Sequence, residues 1–444
     1  MYIPRSHDQK IIAHIEDNQP NKQVLLVEGA RQVGKTTSIK NALGETKKKK
    51  HIINLEKQAL VRHDIDQTKE FDDFTNLLND KFGFKPQDDH VLFIDEAQES
   101  LKLGEYVRYM AEDWPRATVI LTGSSLARLI KTETRYPVGR VNTLRIHPFS
   151  FIEFLRALGK DDLVRTIKES VSGISALRHE HLLTLLDRYL EIGGLPKVVT
   201  DFIEGKDFFE RRREIIANLE KDFLRLFPEN DISIVMDCFK SVASFVGSPS
   251  KNSTVVSSPS NAVNSKIRDI FLRLESWCLF LKSPQKGPSP EHSHDYLPKR
   301  YMFDVGILRH FRELAVPSIK LLKSISPAQR TPLGGVIENQ VAIDLTRSGA
   351  ELTGWKKSSS GTEIDFVWKR LHREISIVPA EPIECKAALK IKGTHFKGVA
   401  EYMNLYELPQ GFIVSLAPYE EFKIDNQKKI VNLPLYCTSA FFSV

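Results

Sequence analysis

Short apolar runs alternate with helix-period stretches over the first third of the chain. Val24-Leu25-Leu26-Val27, Val91-Leu92-Phe93-Ile94 and Val119-Ile120-Leu121 are continuous apolar runs of strand length, the pattern of strands buried on both faces. Ile52-Ile53-Asn54-Leu55 and Leu144-Arg145-Ile146 read as two further strands. Between them Ile11, Ile12 and Ile15, and then Phe71, Phe74, Leu77 and Leu78, recur at the spacing of one helix face. This alternation predicts an α/β domain with buried parallel strands. The lysine tract 47–50 reads as a solvated turn.

The pattern changes after residue 149. Phe151, Phe154, Leu155 and Leu158, and then Leu182, Leu183, Leu186 and Leu190, predict helices, and Gly193-Gly194-Leu195-Pro196 stops the last of them. Arg211-Arg212-Arg213 opens a further helix and reads as a solvated face. A helix over 234–245, a Ser/Pro/Asn-rich stretch over 247–261, a basic helix over 262–275 and a polar loop over 283–298 before Lys299-Arg300-Tyr301 follow in winged-helix order. In that arrangement Asn264, Ser265, Lys266 and Arg268 would face a DNA major groove, and the competing reading is a module for domain packing or protein contact. Further on come a helix carrying Glu338, a strand over 361–367 carrying Asp365, a strand over 382–386 carrying Glu384 and Lys386, and a helix over 399–405.

With 444 residues the chain exceeds one core, so several domains are expected. Its apolar content of 41% and charged content of 27% are those of a globular protein, and the net charge of +6 permits a nucleic-acid surface without demanding one. Cys238, Cys278, Cys385 and Cys437 are scattered without a C-x-x-C pair, which argues against a zinc knuckle or a disulfide framework and suits a reducing cytoplasm. The start of the chain lacks a signal-peptide apolar core, and no apolar run approaches the roughly twenty residues needed to span a bilayer. A cytoplasmic protein without membrane attachment is expected.

The first candidate chemistry lies directly after the first apolar run. Gly29-Ala30-Arg31-Gln32-Val33-Gly34-Lys35-Thr36, with Thr37 next, has the G-x-x-x-x-G-K-T spacing of a phosphate-binding loop. Glycines let such a loop turn its amides inward, Lys35 would reach the terminal phosphates of ATP, and the Thr36 hydroxyl would sit on Mg2+. Asp95 and Glu96 end the strand over 91–94. Asp95 is placed to hold the magnesium, and Glu96 to orient and activate the attacking water. Ser124, after the strand over 118–121, could bond that water or the γ-phosphate, or simply belong to a Ser/Gly turn. Arg135 and Arg140 are alternative arginine fingers, acting on the nucleotide of a neighbouring subunit in a homo-oligomer.

Residues 29–36, Leu92-Phe93-Ile94-Asp95-Glu96-Ala97-Gln98, Leu121-Thr122-Gly123-Ser124-Ser125 and Pro148-Phe149-Ser150-Phe151-Ile152-Glu153-Phe154 together resemble a prokaryotic family of AAA-type ATPases fused to a C-terminal domain long filed as of unknown function. The resemblance implies an ATPase core with the extra strand and catalytic glutamate of AAA proteins, which supports Glu96 in that role. It also agrees on a winged helix, and a similar Gly-Gly-x-Pro occurs in the family, where a lid hinge is one reading.

In the C-terminal stretch an acid on a helix, an acid on one strand and Glu-x-Lys on the next would gather Glu338, Asp365, Glu384 and Lys386 around one or two hard cations. A metal there would activate water for attack on a phosphodiester, with the lysine orienting it. The set resembles the restriction-endonuclease-like, PD-(D/E)xK, nucleases, with Asp365, Glu384 and Lys386 at the motif positions. One departure is Trp355-Lys356-Lys357, where relatives tend to show an aromatic followed by arginine; lysine keeps the charge and loses the bidentate grip.

The expectation is an α/β chain with an AAA-type P-loop core over 1–148, a helical lid over 149–209, a winged-helix domain over 210–318 and a restriction-endonuclease-like domain over 319–444. Its expected function is Mg2+-dependent ATP hydrolysis that controls a DNA-binding, metal-dependent nuclease. The alternative is an ATP-switched DNA- or protein-binding module with a silent nuclease fold.

Overall fold

The computed structural model describes residues 2–20, 22–124, 139–257, 260–288, 296–312, 315–358, 361–369 and 380–442. Arg135 and Ser125 lie outside them. The chain divides into two compact units, 1–147 with 276–278, and 148–275 with 279–444.

The first unit is a five-stranded parallel sheet in the order β2-β3-β4-β1-β5. Its strands are β1 (Val24–Glu28), β2 (Lys49–Asn54), β3 (His90–Asp95), β4 (Thr118–Gly123) and β5 (Val141–Arg145). Every residue of β3 and β4 is buried, whereas at the edges β2 alternates over its later residues and β5 has no fully buried residue. That gradient explains the continuous apolar runs inside and the polar interruptions outside. It also corrects the reading of 47–50 as a turn: Lys49 and Lys50 open β2, because an edge strand can turn lysines to solvent. Helices α1 (Asp8–Glu16), α2 (Lys35–Glu45), α3 (Ala59–Gln67), α4 (Phe71–Phe82) and α5 (Leu101–Asp113) complete the unit. Phe74, Leu78, Phe84, Tyr106, Met110 and Trp114 pack against β2, β3 and β4 in one core. The strand order places β4 between β1 and β3, so the phosphate loop after β1 and the acids at the end of β3 meet across one intervening strand.

The second unit opens with helices α6 (Phe151–Ala157), α7 (Asp161–Glu169), α8 (Ala176–Ile192), α9 (Pro196–Ile203), α10 (Phe208–Leu226), α11 (Ile232–Ser244) and α12 (Asn261–Ser276). Ser150 caps α6 reciprocally with Glu153, accepting from its amide at 3.1 Å. Gly193 ends α8 with φ at 85°, and a Cβ there would run into Asp304 and Gly306, so the glycine serves close packing as well as the helix stop. Asp304 accepts from the Gly194 amide at 2.6 Å and caps α13 (Val305–Phe311) through the Ile307 amide at 3.0 Å.

Strands β6 (Phe280–Ser283) and β8 (Lys299–Met302) form an antiparallel pair, while β7 (Gln285–Lys286) joins β9 (Gly354–Lys356) and β10 (Glu363–Ile364). The remaining sheet has the order β11-β12-β13-β15-β14, from β11 (Phe366–Trp368), β12 (Glu381–Lys386), β13 (Gln410–Ser415), β14 (Glu420–Lys423) and β15 (Lys429–Pro434). Helices α14 (Pro327–Arg347) and α15 (Lys397–Leu405) pack on β12. The single strand expected over 361–367 is broken at Asp365, where the chain passes from the sheet of β9 to that of β12. The four cysteines are free thiols. Among the described residues no helix is long and apolar enough to cross a membrane.

Candidate functional site

The loop after β1 is shaped by backbone that only certain residues tolerate. Gly29 and Gly34 have φ of 149° and 97°, and a Cβ on Gly29 would collide with the Ile146 carbonyl oxygen. Gln32 is also left-handed, with φ at 64°. Ala30 and Val33 are buried, Arg31 and Gln32 half-buried, and Gly34 opens α2, on which Thr37 is exposed. Lys35 is buried, and its ammonium donates to the Gly29 and Ala30 carbonyls at 2.9 Å each. Burial lowers the Lys35 pKa, a tendency that Glu96 opposes.

Asp95 is the hub of the site. Its carboxylate accepts from the Thr36 hydroxyl at 3.0 and 3.1 Å, from Thr122 at 2.5 Å and from the Asn54 amide at 2.9 Å. These donors stand at the ends of neighbouring strands or at the start of α2, so the acid is held from three sides. The Thr36 hydroxyl and the Asp95 carboxylate are paired oxygen donors beside a phosphate loop, and they fit a hard cation that takes its other ligands from nucleotide phosphates and water.

Glu96 follows with φ at 54°, a strained geometry for a residue with a side chain. Burial raises its pKa, against the lowering effect of a 2.6 Å hydrogen bond from Gln98 and the charge of Lys35. A half-buried carboxylate with raised basicity beside the loop is suited to take a proton from water. Ser124 lies half-buried directly after β4.

Arg140 precedes β5, and the pairing of Val24 with Val141 puts it at the start of the strands. The phosphate loop leaves their other end, about 16 Å away along a five-residue strand. Arg140 is exposed and pairs with Glu112 at 2.8 Å.

In the second unit β12, α14 and the break between β10 and β11 bring Glu338, Asp365, Glu384 and Lys386 into one cluster. Lys386 donates to Glu384 at 2.5 Å, the Cys385 amide donates to Asp365 at 2.9 Å, and the other Glu384 oxygen is buried without a partner. Burial, and then the Asp365 charge, push the carboxyls of Glu338 and Glu384 well above the usual range. At the centre is Lys299 of β8, 1% exposed. Its ammonium lies 3.1 Å from Glu338, 3.1 Å from Asp365 and 2.6 Å from Glu363. Burial opposes its charge, and the three carboxylates outweigh that and raise its pKa. Tyr301, two residues along β8, donates to Glu338 at 2.7 Å.

A protein ammonium thus stands where a cation would bridge Glu338 and Asp365. Among the described residues no three or more His, Cys, Asp or Glu side chains are grouped to hold a metal ion. The donor set in this arrangement fits an ammonium and does not fit a divalent ion. Lys356 lies 3.8 Å from Glu363, and Lys357 pairs with Glu401 at 2.5 Å.

On α12, Ser265, Lys266 and Arg268 are exposed and Asn264 is half-buried, accepting from Asn252 at 2.8 Å. Lys266 pairs with Asp231 at 2.6 Å. The sequence reading assigned no role to Asn54, Thr122, Gln98, Lys299, Tyr301 or Glu363. Thr122 and Asn54 carried a usable signal, as polar residues closing apolar strands. Lys299 carried none, because its partners lie far along the chain.

Comparison with known proteins agrees with the first unit. Residues 21–155 match a family described as an AAA domain, and residues 183–318 match a domain of unknown function. Among solved structures the chain is similar to a Walker-type ATPase of Pyrococcus abyssi, at 14% identity and a TM-score of 0.46 over 70% of this chain and 96% of that one. It is also similar to Cdc6p of Pyrobaculum aerophilum, at 12% identity and a TM-score of 0.26 over 63% and 89% of the two chains. No curated protein matches the sequence. The AAA-domain match spans the phosphate loop, Asp95 and Glu96.

Proposed function

We propose that this AAA domain binds ATP with Mg2+ and hydrolyses it, and that its nucleotide state switches the second unit between binding states for DNA or protein. The observation that carries the reading is Asp95, bonded to Thr36 at the start of α2 and followed by the half-buried Glu96. The loop amides and the N-terminus of α2 would hold the phosphates, and Lys35 would exchange its carbonyl partners for phosphate oxygens. Thr36 and Asp95 would hold magnesium, which when bound offsets charge on the phosphate oxygens. Glu96 would accept the proton of the attacking water, with Gln98 fixing its carboxylate. From the opposite end of its own strands, Arg140 suits only the nucleotide of a neighbouring copy, so a homo-oligomer belongs to this proposal. So does the division into core (1–148), lid (149–209), winged helix (210–318) and restriction-endonuclease-like domain (319–444).

The test is steady-state ATP turnover and nucleotide binding in Glu96→Gln. Turnover should fall by about a hundredfold or more while ATP affinity is retained. Unchanged turnover would remove Glu96 from its role.

For the second unit the geometry favours a nuclease-like fold that is silent as it stands, since Lys299 occupies the centre of the carboxylates. A metal-dependent DNA nuclease is the second reading, favoured by the convergence of Glu338, Asp365, Glu384 and Lys386. It requires Lys299 to withdraw. Cleavage of supercoiled and branched DNA with Mg2+ or Mn2+, with and without ATP and against Glu384→Ala, separates the two.

A further inference from the structure

The second unit also contains a cavity of about 470 Å³ whose walls are strongly cationic. Arg212, Arg213, Arg309, Arg312 and His310 line it, with Glu191 as the one carboxylate among the described lining residues. Phe209, Ala315 and Val316 add an apolar side. The volume lies in the range of small-molecule sites.

The arginines are held in place, but their hydrogen-bonding capacity is not used up. Arg212, 4% exposed, spends one nitrogen on the Glu191 and Gly306 carbonyls at 3.2 and 2.8 Å, and its other terminal nitrogen is buried with no partner. Arg312 has both Nε and one terminal nitrogen buried without partners. Arg309 donates to the Val316 carbonyl at 3.2 Å, and Arg213 comes no closer than 3.9 Å to Asp207. Glu191 itself is engaged by Arg188 at 3.0 Å.

Four guanidiniums meet one carboxylate among the described lining residues, while Asp304 near Arg212 and Asp187 near Arg309 offset part of the charge without lining the cavity. Burial lowers the pKa of Arg212, Arg309 and Arg312 alike. An anion with several oxygen acceptors in the cavity offsets that charge and accepts from the guanidiniums that reach it, Arg213 being exposed and Arg309 half-buried. We propose that this cavity is a binding site for a small phosphorylated molecule, carrying two or more phosphate groups and an apolar portion that lies against Phe209. The site is separate from the phosphate loop and from the Lys299 cluster, and it would let a soluble anion act on the second unit directly.

The experiment is isothermal titration calorimetry of inorganic pyrophosphate into the full chain carrying Lys35→Ala, which disables the phosphate loop. One saturable site is expected, with a dissociation constant of about 1 mM or tighter at low salt. Adding Arg213→Gln or Arg309→Gln should weaken it about tenfold each. Both positions are chosen because Arg212 also supports backbone, and unchanged thermal unfolding confirms that the variants are folded. Absence of binding in Lys35→Ala, or binding indifferent to both arginine changes, would overturn the proposal. So would a single-stranded oligonucleotide that needs these arginines while pyrophosphate does not bind, since the ligand would then be a nucleic-acid backbone.

Discussion

Thr122 shows how much one hydroxyl can do. It stands on β4, the strand between the phosphate loop and Asp95, and its 2.5 Å hydrogen bond is the shortest of those that hold this carboxylate. Thr122→Val keeps the shape and removes the donor. We expect ATP turnover to drop about tenfold, with a stability loss of about 1 kcal/mol, because Asp95 keeps Thr36 and Asn54. Steady-state kinetics with thermal unfolding checks this, and unaltered turnover would leave the positioning of Asp95 to the other two. Arg212 teaches a related lesson. Its triplet reads as solvated, yet it is buried together with Ile215, Ile216, Leu219 and Phe223 on one face of α10. The i, i+3, i+4, i+7 spacing was present in the sequence. Its meaning was hidden because arginine is rarely counted among core positions.

At the scale of elements, the docking of β8 on α14 decides the character of the second unit. Asn339 on α14 accepts from the Met302 amide at 2.7 Å and donates to its carbonyl at 2.9 Å, like one more rung of backbone. That contact fixes β8 so that Lys299 projects among Glu338, Asp365 and Glu363. Removing the lysine leaves buried carboxylates without a counter-charge, which typically costs 3–5 kcal/mol. The nucleotide-free wild type should therefore show the same unfolding midpoint in EDTA and in Mg2+. Lys299→Met should unfold several degrees lower in EDTA and recover in Mg2+ or Mn2+, as a divalent ion takes the vacated centre. Stabilisation of the wild type by Mg2+ alone would show that Lys299 does not exclude the ion.

For the whole molecule, the net charge of +6 bears on association with DNA more than on fold. Lys266 and Arg268 are exposed on α12, and Lys266 already has Asp231 as partner. If α12 grips DNA, fluorescence anisotropy of a labelled duplex should give salt-sensitive binding. Lys266→Ala combined with Arg268→Ala should weaken it about tenfold or more and lower the salt slope by about two. Equal binding and slope would assign α12 to protein contact.

What the sequence determined by itself was local. The phosphate loop is eight consecutive residues, the acids adjoin one apolar run, and the central strands are continuous because both of their faces are buried. Residues 338, 365, 384 and 386 were also legible as a set, since each lies on an element with its own pattern. Tertiary structure alone decided strand order, and with it that Thr122 and Asn54 hold Asp95 and that Arg140 lies at the opposite end of the strands from the phosphate loop. It alone placed Lys299 among acids 39 and 66 residues away, and gathered arginines from α10 and the end of α13 around one cavity. The physical reason is that chain spacing governs contacts within an element, whereas the counter-charge of a buried group is set by whichever element packing brings beside it.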